Sequence, residues 1–238
     1  MAVLLLRLAG PMQSWGTQSR FSVRDTGREP SKSGIVGLLC AAAGVPRNAH
    51  ERIAELAQMR MGVRVDREGT TARDFHTAGG GDLNGKPYGV AKASGATAAT
   101  VTSNRYYLAD AEFIVGLESD DTGLLKHFDR ALADPVWPLF LGRKSFPPGL
   151  PVRLGVQVGE LEEVLVAWPW RPQHENDDIP ERGLRLVIEV DDYQEVARYD
   201  HPVSFEKADR RFRLRHVNIS WIPPNRITKG ESGCICPG

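Results

Sequence analysis

The residues of this chain best suited to chemistry lie between Gly10 and Gly44, in the run GPMQSWGTQSRFSVRDTGREPSKSGIVGLLCAAAG. An apolar stretch, Val3 to Leu8, ends at Gly10-Pro11 and gives way to a polar loop carrying Gln13, Trp15, Arg20, Arg24 and Arg28. Pro30-Ser31-Lys32-Ser33-Gly34 then opens a helix. Unpaired backbone N–H groups at a helix start, two hydroxyls and a lysine together make a place for an oxyanion. The tryptophan and arginines just upstream add a stacking surface and phosphate neutralisation. The same residues also suit a plainer structure, an N-capped helix entered through a long loop.

A second basic cluster is Leu141-Gly142-Arg143-Lys144-Ser145, entered through Trp137-Pro138 and left through Pro147-Pro148. A glycine beside two cations lets backbone and side chains approach a phosphate together, although a proline-bounded turn has the same composition. A third stretch, residues 77–104, is rich in Gly, Ala, Ser and Thr and poor in large apolar groups. It cannot bury a core of its own and reads as a hairpin, a lid or a mobile loop. Lys86, Lys92 and Arg105 stand where they can meet phosphates; Tyr88, Tyr106 and Tyr107 either stack on a base or pack at the root, and packing is the expectation for the Tyr106-Tyr107 pair.

Other chemistries find less support. Metal-independent RNA cleavage needs a base for the 2′-hydroxyl and an acid for the leaving oxygen. His76 beside Asp74 reads as a structural histidine, and His50, His127, His174, His201 and His216 show no partner spacing. Cys234-Ile235-Cys236 has no second Cys or His pair at zinc spacing, so no metal is expected. GREPSKSG lacks the G-K-[ST] ending of a phosphate-binding P-loop. Composition (41% hydrophobic, 25% charged) is that of a globular protein, and no apolar run approaches the ~20 residues of a membrane span. With no basic region before MAVLLLRLAG and no disulfide framework among three cysteines, a cytoplasmic location is expected.

The net charge of zero hides an asymmetry. Residues 160–206 hold thirteen acids and four arginines, whereas residues 207–229 hold seven basic groups and one acid. Such a pattern suits a subunit that is basic where it holds nucleic acid and acidic elsewhere, and equally a plain solvated face.

Hydrophobic periodicity supplies the elements that must position these groups. Val3 to Leu8 reads as a strand buried on both faces, Gly34 to Ala43 as a helix stopped by Gly44 and Pro46. Asn48-Ala49-His50-Glu51 resembles a capping box before a short helix with Ile53, Leu56 and Ala57 on one face. Val63 and Val65 alternate with Arg64 and Asp66 as a strand should; Ala111 to Leu117 and Val152 to Val158 are further strands around a helix over Thr122 to Leu132. Leu161 to Trp168 and Leu184 to Val190 also read as strands, and Arg211, Arg213 and Arg215 share one face of another. The order predicts an α+β fold: a ferredoxin-like (RRM-like) β-α-β-β-α-β domain over residues 1–159, with an inserted thumb hairpin at about 77–104. A small β-rich C-terminal subdomain and tail fill residues 160–238.

Four blocks carry a family resemblance: GPMQSWG (Gly10 to Gly16), PSKSGIVGLLCAAAG (Pro30 to Gly44), RDFHT (Arg73 to Thr77) and PLFLGRKSFP (Pro138 to Pro147). In this order they resemble the CasD family of type I-E CRISPR Cascade subunits, within the repeat-associated RNA-binding superfamily. Beyond Pro147 the likeness is one of general layout. The resemblance implies a non-catalytic subunit, with no cofactor, that binds and caps the 5′ handle of crRNA. It implies contact with CasC-like backbone subunits and a CasA-like large subunit, and with target DNA only indirectly, since guide pairing reads the target. The RNA contacts it implies fall on Gln13, Trp15, Arg20, Arg24, Arg28, Ser31, Lys32, Ser33, Gly34, Lys86, Lys92, Arg105, Gly142, Arg143 and Lys144, with the thumb reaching between crRNA and neighbouring subunits. Relatives in other CRISPR types cut pre-crRNA, so the alternatives are a metal-independent crRNA-processing endoribonuclease using His76, and an assembly adaptor that binds protein alone.

Overall fold

The computed structural model describes residues 1–17, 19, 22–90 and 100–230. β1 (Ala2–Ala9) is buried along its whole length, as its unbroken apolar run requires. Leu4, Leu6 and Leu8 point into one apolar layer, Val3 and Leu5 into another. The short strands β2 (Met12–Gln13) and β3 (Val23–Arg24) follow, then helices α1 (Lys32–Ala42) and α2 (His50–Gln58). α2 buries Ile53, Leu56 and Ala57, but the expected capping box does not form: its N-cap is Ala49, which has no side-chain acceptor.

β4 (Arg60–Arg67) leads into a ribbon of β5 (Thr70–Ala78), β6 (Gly81–Leu83), β7 (Lys86–Tyr88) and β8 (Val101–Ala109). β9 (Glu112–Ser119), α3 (Thr122–Ala133) and β10 (Arg153–Val158) come next, then α4 (Leu161–Ala167), β11 (Leu184–Val190), β12 (Val196–Ser204) and β13 (Arg211–Ile222). The main sheet runs β10-β1-β9-β4-β11-β13-β12, and every neighbouring pair is antiparallel. One face carries α1, α2 and α3 over Leu4, Phe113, Val115 and Val63; the other carries α4 over Val3, Leu5, Ile114 and Ile188. Each fully buried Leu or Ile in these layers stabilises the fold by roughly 1.5–3 kcal/mol.

One expectation, a strand over Leu161 to Trp168, is corrected here. Leu161 to Trp168 is mostly helical; Leu161, Leu165 and Val166 face the sheet at helical spacing, and Glu118 Oε1 accepts the Leu161 N–H at 2.7 Å at the helix start. β4 is buried on both faces, because Arg64 does not reach water. Its guanidinium pairs with Asp66 at 2.7 and 2.8 Å and donates to the carbonyls of Leu165, Trp168 and Pro169 at the C-terminal end of α4. Burial raises the Asp66 pKa above the usual carboxylate value, and the Arg64 charge opposes the rise. From beyond residue 160, β11, β13 and β12 extend the same sheet, and Val187 and Val217 share the core with α1.

The projecting hairpin is longer than residues 77–104. Pairing of β5 with β8 begins at Thr70↔Ala109 and runs unbroken to Ala78↔Val101, with β6 and β7 paired beyond. β5 is largely exposed, so the ribbon stands off the body.

Candidate nucleic-acid interface

The polar loop after β1 is built from its buried glutamine outward. Gln13 is fully buried; its amide donates to the carbonyls of Leu8 at 2.9 Å and Ala111 at 2.8 Å, stitching the ends of β1 and β9. Trp15 is also buried, and its indole N–H donates to Gln13 Oε1 at 3.2 Å. Its ring lies beneath Gly34, where an added Cβ would stand 3.0 Å away. Neither side chain offers a face to a base. The stacking expected of Trp15 and the RNA contact expected of Gln13 give way to structural roles.

The helix start is filled by the protein itself. Ser31 Oγ accepts the Gly34 N–H at 3.2 Å and lies 3.5 Å from Ser33 Oγ, and Asp200 Oδ2 accepts the Lys32 N–H at 2.8 Å. The Lys32 ammonium is buried and bound to both Glu189 oxygens at 2.7 Å. Asp200 is in turn paired with Arg215 at 2.7 and 3.0 Å. The anion that this helix start attracts is therefore a carboxylate of β12, and the expected phosphate cradle at Ser31, Lys32, Ser33 and Gly34 is occupied from within. Burial lowers the Lys32 pKa, against the raising effect of Glu189.

A different set of cations converges beside it. β3 runs parallel to β8 with Arg24 opposite Arg105, and β5 sets Asp74 opposite Arg105 from the other side. Directly opposed residues share a face, so Asp74, His76, Ser103, Arg105 and Tyr107 line one side of the ribbon. The turn at 141–146 docks there. Ser14 N–H donates to the Leu141 carbonyl at 3.1 Å, Leu141 N–H to Phe146 at 2.8 Å, and the Tyr107 and Phe146 ring centroids lie 5.8 Å apart. Gly142 has φ +90°, and a Cβ on it would meet the Ser14 carbonyl at 1.8 Å, so no other residue fits between turn and loop.

This docking carries Arg143 to the cluster. Its guanidinium packs 5.6 Å from the Phe146 centroid and donates to the carbonyls of Arg24 at 3.3 Å and Asp25 at 3.4 Å. Burial lowers the Arg143 pKa and the like charges of Arg105 and Arg24 lower it further, while Asp25 and Asp74 oppose them. Three guanidinium groups thus repel one another across a surface where Arg24 is exposed and Arg105 and Arg143 are half-buried; Lys144 stands exposed beside them. Such an arrangement suits an anion with spaced charges.

The remaining expected contacts scatter. Arg28 is exposed farther along the loop, and Lys86 falls on β7. Arg20 and Lys92 lie outside the described residues, as do Cys234 and Cys236. His76 is exposed on β5 with Nδ1 3.8 Å from Asp74 Oδ2. Sequence reading missed Asp25 and Phe146, which matter only through tertiary docking. Among the described residues there is no His, Cys, Asp and Glu group arranged to hold a metal ion, and no helix long and apolar enough to cross a membrane.

Comparison with known proteins agrees with this architecture. The model of a family described as CRISPR-associated protein (Cas_Cas5) matches residues 3–218. The CRISPR system Cascade subunit CasD of Escherichia coli (strain K12) is 34% identical over 177 residues, which cover 68% of this chain and 75% of that protein. A solved structure titled CRISPR RNA-guided surveillance complex superposes with TM-score 0.77 at 34% identity, covering 98% of this chain and 95% of the other. One titled Crystal structure of Cas protein gives TM-score 0.73 at 38% identity, covering 96% and 98%. With a family model matched across most of its length and a mixed α+β fold shared with both structures, this chain belongs to the Cas5 family of CRISPR-associated proteins.

Proposed function

We propose that this chain is a non-catalytic subunit of a CRISPR RNA-guided surveillance complex of the Cascade type I-E class, and that it binds and caps the 5′ handle of crRNA. The observation that carries the reading is the mutual approach of Arg24, Arg105 and Arg143 on the ribbon face, where like charges are held together by docking of the 141–146 turn. RNA phosphates relieve that repulsion, and Lys144 adds a further cation. The exposed ribbon, with Lys86 on its outer hairpin, reaches toward CasC-like backbone subunits; a CasA-like large subunit and, through guide pairing, the target DNA complete the assembly.

Strand order supports the same ancestry. β1-α1-β4 and β9-α3-β10 interleave as β10-β1-β9-β4, the order of a ferredoxin-like fold, with the ribbon inserted between the halves. His76 sits on an exposed strand with only a weakly placed carboxylate beside it, which favours the scaffold over an endoribonuclease. The test is cross-linking of the assembled complex followed by sequencing of the RNA attached to this subunit. Reads confined to the 5′ handle are expected; reads spread over the guide, or none, would overturn the reading. Cleavage of repeat RNA in EDTA by the isolated chain, lost in His76→Ala, would make it a nuclease instead.

A further inference from the structure

Beyond the arginine cluster, the loop 25–31 bridges to the far end of β11, β12 and β13 and encloses a cleft of about 970 Å³. That volume accommodates a nucleotide. Its charges are distributed in two zones. On the floor, Arg185 is bound to Glu29 at 2.9 Å and to Glu68 at 2.7 and 2.8 Å, and Arg198 is bound to Glu29 at 2.9 and 3.1 Å. Arg215 is taken by Asp200. Burial raises the Glu29 pKa, but hydrogen bonds and charge from Arg185 and Arg198 outweigh it and hold the carboxyl below its usual value. The floor is therefore neutralised.

The rim differs. Arg28 and Arg182 are exposed, and neither has a carboxylate partner among the described residues. Arg182 instead lies over the Trp221 ring at 4.1 Å, with Ile219 beside it on the same face of β13. A neutral floor with an aromatic wall and a cationic rim matches a group that is flat and uncharged at its inner end and anionic at its outer end. Asp25 lines the cleft and its carbonyl accepts from Arg143, so the cleft adjoins the cluster.

We infer that this cleft takes one splayed nucleotide of the single-stranded RNA held along the arginine cluster, with its base against Trp221 and its phosphate on Arg28 and Arg182. The inference rests on the reading that the cluster binds RNA. A base arriving on Trp221 exchanges one π-face partner for another, and the released Arg182 guanidinium pairs with the phosphate.

The test uses the full chain and a repeat-derived single-stranded RNA carrying 2-aminopurine at one position at a time. One position is expected to be quenched on binding. Trp221→Ala should abolish that quenching and weaken binding about 5- to 150-fold with the salt dependence unchanged. Trp221→Phe, which keeps a ring at the partly exposed site, should preserve both, and Arg182→Gln should lower the salt slope by about 0.7. Equal response at every position, or binding by Trp221→Ala and Arg182→Gln indistinguishable from wild type, would overturn the inference while leaving the cluster intact. RNA binding unaffected by Arg105→Gln and Arg143→Gln would instead overturn the reading beneath it, and no RNA binding by the wild type would sink both.

Discussion

Two regions of this molecule look alike in sequence and differ in the folded chain. At the start of α1, Ser31, Lys32 and Ser33 offer a cation, hydroxyls and backbone N–H groups; at the ribbon, Arg24, Arg105 and Arg143 offer guanidinium groups only. The first is closed by Glu189 and Asp200, whose carboxylates reach it from β11 and β12. The second is left with more positive than negative charge and with exposed members. An anion site is thus identified by what remains unpaired after folding, since charge and helix geometry serve the interior as readily as a ligand.

The largest expected effect would separate the two regions outright. Lys32→Ala leaves the largely buried Glu189 carboxylate without its cation, held by the Met61 N–H alone, and should cost about 3–5 kcal/mol in urea denaturation, with the RNA salt slope of the folded protein unchanged. A lowered slope with full stability would mean that the helix start, not the ribbon, meets RNA.

Arg105→Gln combined with Arg143→Gln should do the reverse. RNA affinity in filter binding should fall about 30-fold and the salt slope by about 1.4, while stability changes by less than ~1 kcal/mol. Wild-type RNA affinity in that double variant would remove the contrast.

Gly142→Ala sharpens it by changing no charge. The strained φ and the Ser14 carbonyl should force the turn away from the loop, costing about 1–3 kcal/mol in thermal or urea unfolding and weakening RNA binding along with it. A destabilised variant with full affinity would show that Arg143 reaches RNA without the docked turn.

The smallest effect is a pH dependence confined to the filled helix start. Burial lowers the His201 pKa below 6.5, with Lys32, Arg213 and Arg215 adding to it and Glu189 opposing. The unfolded chain then binds the proton first, so His201 weakens the fold as pH drops below about 6.5 and has no effect above. Stability measured from pH 7.5 to 5.5 should fall less in His201→Gln than in wild type; identical slopes would refute this.

How far these regions could be read beforehand depended on where their partners lie. β1, α1 and α3 were legible because each declares its buried faces within a dozen residues. The acidic excess of 160–206 and the basic excess of 207–229 were legible as composition but not as structure. Antiparallel pairing of β12 with β13 brings Asp200 onto Arg215, so part of the asymmetry cancels inside the sheet. The alternation of Arg64 and Asp66 with Val63 and Val65 gives the strand but cannot reveal a helix, α4, a hundred residues later whose carbonyls take up Arg64. Arg105 and Arg143 were singled out, but their convergence depends on the Ser14–Leu141 and Tyr107–Phe146 contacts, which no local pattern encodes.

The Lys32–Asp200 bond spans 168 residues, and it bears on how the chain is made. At about 5–20 residues per second, a ribosome needs roughly 10–30 s to deliver Asp200 after Lys32 has emerged. Throughout that interval the first turn of α1 has no carboxylate to satisfy it, and Lys32 stays hydrated outside any core. The last edge of the sheet must therefore close over an N-terminal half that has been waiting, a non-local step with a large loop-closure cost. A nascent chain arrested before β11 should expose Lys32 to acylating reagents that the finished protein excludes.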